Sequence, residues 1–493
     1  MDSLFGSYSI EENIDVNNIG FANNLTYIGG KYTFYKNTLF EDSILNNAAK
    51  SINGNISISF NTNLKTIEGF NCYNSLDDIY IRSNNDLTSI DGFDSIYGHS
   101  SNIDILDNKN LIDINMLNNI SYIYNLDISY NTSLFNITGF KNCDTINNCN
   151  IVKNNSITKI SNSFHQTRHV EDMIINNISK FENSFSYLNS MDYFSITDCP
   201  KLEQLLNFDS LKTVNKLTVS NCPNLIEIVC MSNLVKGDIS INKNNSLHII
   251  SSFNNLKKSS IFIIENPSLI KIDGFQKLDS ANLNIINNTT LTSLPNLNNL
   301  RYASITIQNN SSLENINGFN NLESIGNGSI NIVSNPNLKS IPEFNKLVGN
   351  TLSESTWSQI DIQIELNPSL KYINAFHKLI KCDGIIIKDN ANLDSLSICK
   401  NLTYIKNALF LMNNPNLVYV NGFENVDTII SGFSIINNGI KNVSFLQSLK
   451  YTEGGFWIRN NSNLDNLEHL INLRRIGTIN NKKSISVLSN PKL

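Results

Sequence analysis

A short motif recurs along almost the whole 493-residue chain. It runs I-x-I-x-x-N-x-x-L-x-x-I-x-G-F-x-x-L-x-x-I and is clearest in segments 56–70, 261–275 and 409–423. Three residues after the second apolar position of each turn stands an asparagine: Asn37, Asn61, Asn84, Asn108, Asn131, Asn154, Asn177, Asn244, Asn266, Asn288, Asn310, Asn335, Asn367, Asn390, Asn414, Asn438, Asn461 and Asn490. Between Asn177 and Asn244 this position is Cys199 and then Cys222. The chain therefore reads as one array of about twenty turns.

The spacing of this motif restricts the fold. Turns of about 22–25 residues are too short for a β-α-β unit, which needs about 30. The alternating Ile-x-Ile puts both isoleucines on one face of a strand. Such strands can stack only in parallel, and about twenty of them at about 4.8 Å would make a rod on the order of 90–95 Å long. The sequence predicts a mainly β, right-handed parallel β-solenoid, with the hand taken from the general rule for parallel crossovers.

The repeat also predicts the core. Its columns are the Ile-x-Ile pair, the leucine after the asparagine, and the phenylalanine of the G-F corner, which is Phe70, Phe93, Phe140, Phe275, Phe319 or Phe423. Glycine before that phenylalanine permits a bend that a side chain would resist. An asparagine amide can bond its own turn and the next amide, so we expect a buried asparagine ladder.

Burial of the ladder has a consequence for glycosylation. Six Asn-x-Ser/Thr sites use a ladder asparagine: Asn131, Asn154, Asn177, Asn244, Asn288 and Asn310. A buried amide cannot carry a glycan, so we expect these six sites to be unusable.

The register of the repeat sets the expected domain organisation. Residues 1–31 are predicted to form an N-terminal cap and one degenerate repeat, and residues 32–493 the repeat solenoid. Two insertions are expected, at 345–360 and 470–484, and the first surrounds Trp357. Each is either a tolerated surface loop or a place where binding is specified. The chain stops after a strand and an asparagine, which leaves end-to-end self-association at the C-terminal turn open.

Charge and hydropathy exclude several classes of partner. The net charge is -6 and the pI about 5.6, so no basic stripe is expected to bind nucleic acid. No run of 18 apolar residues occurs and the first residues lack an apolar leader, so we expect no membrane insertion. The compartment is left unassigned.

Histidine and cysteine patterns point to no metal or redox site. His165 and His169 have H-x-x-x-H spacing, but their turn has little room for a helix and we expect a solvated loop. The eight cysteines form no CxxC motif. Cys143 with Cys149, and Cys199 with Cys222, are close enough along the array for disulfides, yet mostly reduced, buried thiols are expected.

An enzyme is the main competing class, because parallel β-helices include polysaccharide lyases and hydrolases. Those enzymes need several carboxylates on adjacent outward positions. The outward middle positions are predicted to be Ser57, Tyr80, Asp104, Asp127, Asn150, Met173, Ser195, Thr218, Ser240 and Phe262. Only Asp104 and Asp127 are neighbouring acids, so we expect no catalytic residues, no metal and no cofactor.

The motif L-x-x-I-x-G-F-x-x-L-x-x-I, with L-x-I-x-N-N-P-x-L, resembles the receptor L-domain repeats of insulin- and EGF-type receptors and, more broadly, leucine-rich repeats. The resemblance extends from about Tyr32 to Leu493. It implies a non-enzymatic scaffold for protein or glycan recognition, at a cell surface or outside the cell. A structural, self-assembling surface protein is an alternative, and a carbohydrate-active β-helix enzyme a weaker one.

The outward face of the main strands is the expected binding surface. Over most turns it is polar, but toward the C-terminus it becomes apolar with flanking cations. The predicted binding residues are Ile386, Phe410, Met412, Ile436, Trp457 and Arg459, with Lys388 beside them. Exposed Trp, Phe, Met and Arg on one face are typical of an interface hot spot. Alternatively, the chain's own insertions cover this surface, or β-propensity alone explains it. Phe262, Ile264 and Ile286 form a smaller second patch.

Overall fold

The structure is a computed structural model that describes residues 3–16, 25–38, 51–70, 77–157, 159–326, 328–348, 361–477 and 485–493. Within these ranges the only helices are two single 3-10 turns, Ser444–Leu446 and Glu468–Leu470. The chain forms two compact units, Met1–Asn245 with Ser251–Phe253, and Ser246–Ile250 with Asn254–Leu493. They are called unit 1 and unit 2.

In unit 1, one strand of each turn joins a long parallel sheet, the main sheet. Its strands are Tyr8–Glu11, Tyr32–Tyr35, Ile56–Ser59, Asp78–Arg82, Gly98–Leu106, Ile120–Ser129, Thr145–Val152, His169–Asn176, Ser190–Thr197, Thr213–Ser220 and Lys236–Asn242. Each pairs with the strand of the next turn, and every pairing is parallel. Consecutive turns therefore stack one on another, as the repeat predicts.

Shorter strands close the other side of each turn in unit 1. A second parallel sheet contains Thr66–Gly69, Ser89–Gly92, Asp113–Met116, Asn136–Ile137, Lys159–Ser161 and Lys180–Glu182. Gln204–Leu205 pairs with Glu227–Ile228, and near the N-terminus Ser3–Leu4 pairs with Tyr27–Ile28. The apolar core lies between the main sheet and these short strands.

Unit 2 repeats the arrangement. Its main sheet contains Lys258–Ile264, Ser280–Ile286, Tyr302–Gln308, Ile330–Val333, Ile362–Glu365, Ile385–Lys388, Ala408–Met412, Gly432–Ile436, Phe456–Arg459 and Ile485–Leu488. The short strands are Ile249–Ile250 with Lys271–Ile272; Tyr372–Ala375, Ser395–Ile398 and Tyr419–Asn421; and Lys381–Cys382, Tyr404–Ile405, Thr428–Ile429, Tyr451–Thr452 and Arg475–Ile476. All the pairings are parallel, so the predicted β-solenoid is confirmed.

The predicted core columns are buried. The corner phenylalanines Phe70, Phe93, Phe140, Phe275, Phe319 and Phe423 are at most 2% exposed. Further rings share the column in turns that lack the G-F signature, and Phe164 stacks on Phe185 with ring centroids 4.9 Å apart. Stacked aromatic rings of successive turns thus add to the burial of the isoleucine and leucine columns.

At two turns, the glycine before the corner phenylalanine has a role other than the expected one. At Phe93 and Phe140 the phenylalanine itself takes the left-handed conformation, with φ of 62° and 60°. A Cβ at Gly139 would lie 2.5 Å from the carbonyl oxygen of Met116, and one at Gly92 2.4 Å from that of Gly69. Glycine is needed there because the backbone of the preceding turn is too close for a side chain.

The asparagine ladder is confirmed through most of the chain. The Oδ1 atom of Asn84 accepts from the backbone amide and the Nδ2 of Asn61, both at 3.0 Å. The Nδ2 of Asn84 donates to the carbonyl oxygen of Ile58 at 2.9 Å. Asn13 adds an earlier rung, donating to Asn37 Oδ1 at 3.1 Å from both its nitrogens. The boundary predicted at residue 31 stays a prediction.

A second column, of residues in the left-handed conformation, was not predicted from the sequence. The residue immediately before each ladder position is left-handed, with φ of 53° at Lys36, 62° at Tyr130 and 55° at Leu366. The conformation turns the chain out of the main strand, so that the next side chain enters the interior. Residues of many types occupy the position, so no residue signature marks it in the sequence.

One turn departs from the expected register. Met173 was predicted to point outward but is fully buried and pairs with buried Cys149. Ile174 takes the outward position instead and is 37% exposed. The prediction is wrong because this turn has one residue more than the turn before it.

The same turn breaks the ladder. Asn177 has a φ of 61°, which is the conformation of the residue before the ladder, and Ile178 follows it in the core. The amide of Asn177 instead donates to Asn155 and Asn176 near the surface. Its sequon is therefore not blocked by burial, contrary to expectation. The other five, at Asn131, Asn154, Asn244, Asn288 and Asn310, are fully buried as predicted.

Candidate functional site

The predicted binding residues lie on four neighbouring main strands of unit 2, Ile385–Lys388 to Phe456–Arg459, and are called the apolar strip. The strand register places Ile386, Phe410, Ser434 and Trp457 in one column. Lys388, Met412, Ile436 and Arg459 form the column beside it. All six predicted site residues are partly exposed, whereas their sequence neighbours in the Ile-x-Ile pair are buried.

The first column has an uneven surface. Ser434 occupies an outward position but is only 6% exposed, because it lies between the larger side chains of Phe410 and Trp457. Two strand spacings, about 10 Å, separate the backbones that carry those two aromatic side chains. Two partly exposed aromatic side chains therefore flank a small serine that they almost cover.

The second column adds charge beside these aromatic side chains. The guanidinium of Arg459 is positioned by Ser486, whose Oγ accepts from Nε at 2.9 Å. Lys388 forms an ion pair with Asp389 at 3.1 Å. The charge of Lys388 is therefore partly neutralised, whereas Arg459 forms no ion pair within the described chain and has further N–H donors for an external carboxylate.

The smaller patch lies at the other end of the unit 2 sheet. Phe262 and Ile264 point outward from one strand, and Ile286 pairs beside Ile264. Asn284 stands next to Phe262. Because polar side chains interrupt it, this patch is narrower than the apolar strip.

The neighbouring acids Asp104 and Asp127 are paired with groups of their own sheet. Asp104 forms an ion pair with Arg82, and Asp127 accepts a hydrogen bond from the hydroxyl of Ser129. Burial raises the pKa of the Asp127 carboxyl, and the charge of Asp104 raises it further. Each of the two carboxylates therefore has a partner on the main sheet.

The two histidines stand apart from any metal cluster. His165 lies at the surface, with Nδ1 3.4 Å from the carbonyl oxygen of Asn183. His169 belongs to the strand His169–Asn176, and its Nδ1 lies 2.8 Å from Ser190 Oγ. Among the residues with described positions, no group of three or more His, Cys, Asp or Glu could hold a metal.

Seven of the eight cysteines are described, and all seven are buried free thiols: Cys143, Cys149, Cys199, Cys222, Cys230, Cys382 and Cys399. Burial raises the pKa of Cys149 to about 12. A thiol whose pKa is this high is inert at neutral pH. Cys72 lies outside the described residues.

Two other predictions concern segments that lie partly outside the described residues. Trp357 and most of the expected 345–360 insertion lie outside it, as do residues 478–484 of the expected 470–484 insertion. The strand Ile485–Leu488 pairs with Phe456–Arg459, and Ile485 and Leu488 are exposed. Self-association through this strand stays a prediction.

The sequence matches no protein-family model and no curated protein. Among solved structures, the chain is similar to a TLR13–ssRNA13 complex at 16% identity and a TM-score of 0.23, over 89% of this chain and 82% of that one. It is similar to YopM from Yersinia enterocolitica WA-314 (14% identity, TM-score 0.19, 89% and 86% of the chains). A leucine-rich repeat protein from Bacteroides ovatus ATCC 8483 is also similar (12%, 0.18, 70% and 83%). These TM-scores are too low to support a fold assignment. The fold is instead established by the strand pairings of the chain itself.

The described residues contain no helix with the length and hydropathy needed to cross a bilayer.

Proposed function

We propose that this chain is a non-enzymatic scaffold that binds a protein partner through the apolar strip. The observation that supports this most is the pair of partly exposed aromatic side chains, Phe410 and Trp457, with Arg459 in the adjoining column. Aromatic and arginine side chains together on one partly exposed surface are the usual composition of a binding hot spot.

The chemistry of the apolar strip restricts the partner. An apolar side chain of the partner would pack on the two aromatic side chains, and a carboxylate beside it would pair with Arg459. The partner is therefore expected to present a large apolar residue next to an acidic one. A neutral glycan would use the aromatic faces but would leave the cation without an acidic group to bind.

Site-specific photo-cross-linking tests the proposal. A benzoylphenylalanine at Ile386 is expected to capture a partner from the source organism, and the same probe at the polar outward position Thr306 is expected not to. The captured protein, once purified, should bind the parent chain and lose binding to the double variant F410S/W457S. A matched double variant, T306A/N331A, should bind as the parent does.

Thermal melting separates binding from folding. The apolar strip is partly exposed, so F410S/W457S should melt close to the parent. If that variant binds the captured protein normally, or if Thr306 captures the same protein, the apolar strip is not the binding surface. Capture of glycans alone on an array would replace the protein partner by a carbohydrate.

A further inference from the structure

One turn of unit 1 is shorter than its neighbours. The inward residues Ile151 and Ile175 are 24 positions apart, whereas Ile175 and Ile196 are only 21 apart. The pairing of Lys159 with Lys180 and of Ile160 with Phe181 shows where residues are missing. The missing piece is the ladder triplet, the three residues that begin at the ladder asparagine.

The flanking turns both contain that triplet. It is Asn154–Ser156 in the turn before, and Cys199–Lys201 in the turn after. In the short turn, Asn177 is followed directly by Ile178, which is buried. The turn therefore lacks the ladder triplet, while both of its neighbours keep it.

The second sheet is interrupted at this turn. Lys180–Glu182 pairs with Lys159–Ser161 on one side, but in the described sheets it is not paired with Gln204–Leu205, which pairs onward with Glu227–Ile228. A cleft of about 470 Å³ lies there, lined by both strands. It is called the lysine cleft because Lys159, Lys180 and Lys201 line it.

Two of these lysines are held by a carboxylate. Glu182 is 3.3 Å from the Nζ atoms of both Lys159 and Lys180 and accepts from Ser161 Oγ at 2.9 Å. The hydrogen bonds from Ser161 and the two lysines hold the pKa of Glu182 at about 2. No ion pair involves Lys201 in the described chain. With Glu203 as the second lining carboxylate, the side chains of the cleft carry a net charge of about +1 at neutral pH.

A hydroxyl in the cleft also lacks a partner. Ser179 lines it, and its Oγ is shielded from solvent and has no hydrogen-bond partner in the described chain. Buried hydroxyl groups are nearly always hydrogen-bonded, so this donor points to a group that the protein does not itself supply. Glu203 and Gln204 line the same cleft with oxygen acceptors.

We propose that the lysine cleft binds a sugar acid, with its carboxylate at Lys201 and Ser179 and its hydroxyls at Glu203 and Gln204. A net charge near +1 suits a monoanion, whereas two lining carboxylates disfavour the denser charge of phosphate. Carboxylate and amide oxygens require donors, which sugar hydroxyl groups supply. The volume falls in the range of small-molecule sites, about 300–1,000 Å³.

Calorimetry with glucuronate, glucose and inorganic phosphate tests the proposal. Glucuronate is expected to bind, K201Q to weaken it about tenfold, and S179A to weaken it severalfold, because each removes a donor to the carboxylate. K109Q removes an exposed lysine elsewhere in unit 1 and should change nothing. Acetylation footprinting supplies a local readout: glucuronate should protect Lys180 and Lys201 but not Lys109.

An insertion gives a sharper test. Adding Asn-Asn-Ser between Asn177 and Ile178 supplies the missing triplet in the form of Asn154–Ser156. It should close the cleft, abolish glucuronate binding and leave thermal melting no lower than in the parent. The proposal is overturned if glucuronate does not bind, if glucose or phosphate binds as tightly, or if K201Q and S179A bind glucuronate like the parent.

Discussion

The Oδ1 atom of Asn335 lies 3.1 Å from the backbone amide nitrogen of Asn310 and 3.3 Å from its Nδ2. This one oxygen therefore accepts two hydrogen bonds from the neighbouring turn. Asn310 Nδ2 also donates to the carbonyl oxygens of Ile285 and Gln308, and its Oδ1 accepts from the amide of Asn288. All three ladder asparagines are fully buried. One carboxamide therefore satisfies backbone groups on both sides of its turn.

Asn310→Ala should lower the free energy of unfolding by about 1–3 kcal/mol, because it leaves buried backbone partners unsatisfied. Urea denaturation measures this. Asn320→Ala, at an exposed position in the same turn, should change stability by less than about 0.5 kcal/mol. Equal stability of Asn310→Ala and the parent would contradict the role given to the ladder.

Phe319→Ala tests the corner column. Phe319 is fully buried and its ring is 5.9 Å from that of Phe344. Removing it should cost about 3–5 kcal/mol through the lost burial and the cavity left behind. Thermal or urea unfolding measures the loss, and Tyr302→Ala is the surface comparison, since Tyr302 is 42% exposed. A loss no larger than that of Tyr302→Ala would mean that the column relaxes to fill the space.

The parts of the fold that depend on the regular spacing of apolar residues and asparagines could be predicted from the sequence. Ile-x-Ile alternation and the recurring asparagine identify the core face, because burial and backbone hydrogen bonding act on the same residue types in every turn. Asn177 shows where this fails: it has the residue type of the ladder but the backbone conformation of the preceding position. Residue type alone does not distinguish a missing triplet from a present one.

Of the two candidate sites, one could be predicted from the sequence and the other could not. The outward positions of Phe410 and Trp457 follow from alternation, so the apolar strip could be located in the sequence. The lysine cleft could not, because it results from an omission of residues and an interrupted strand pairing rather than from a motif. The length of the interval from Ile175 to Ile196, 21 residues, is the one signal in the sequence that could have indicated it.

Gly139→Ala should destabilise unit 1 by about 1–3 kcal/mol, the usual cost of overpacking. The added methyl group would lie 2.5 Å from the carbonyl oxygen and 2.6 Å from the amide nitrogen of Met116, neither of which can rotate away. Gly6→Ala is the control, because a Cβ there meets nothing within 4 Å. Differential scanning calorimetry compares the two, and matching melting temperatures would show that successive turns can separate at this corner.

Asp127→Asn should stabilise the protein at pH 7 but not at pH 3. The pKa of Asp127 is raised, mainly by burial and further by Asp104, although the Ser129 hydrogen bond and Arg82 act in the opposite direction. A carboxyl whose folded pKa exceeds its unfolded value, about 3.9, stabilises the fold below that value. This contribution is lost as the pH rises through the folded pKa.

Asparagine at position 127 carries no charge at any pH and keeps an oxygen for the Ser129 hydroxyl, so the gain at pH 7 should vanish once Asp127 of the parent is protonated. Urea unfolding at the two pH values measures the difference. Asp104→Asn is the comparison, because it removes the partner of Arg82 and should produce no such gain at pH 7. A stability difference for Asp127→Asn that is the same at both pH values would show that ionisation of this carboxyl does not affect folding.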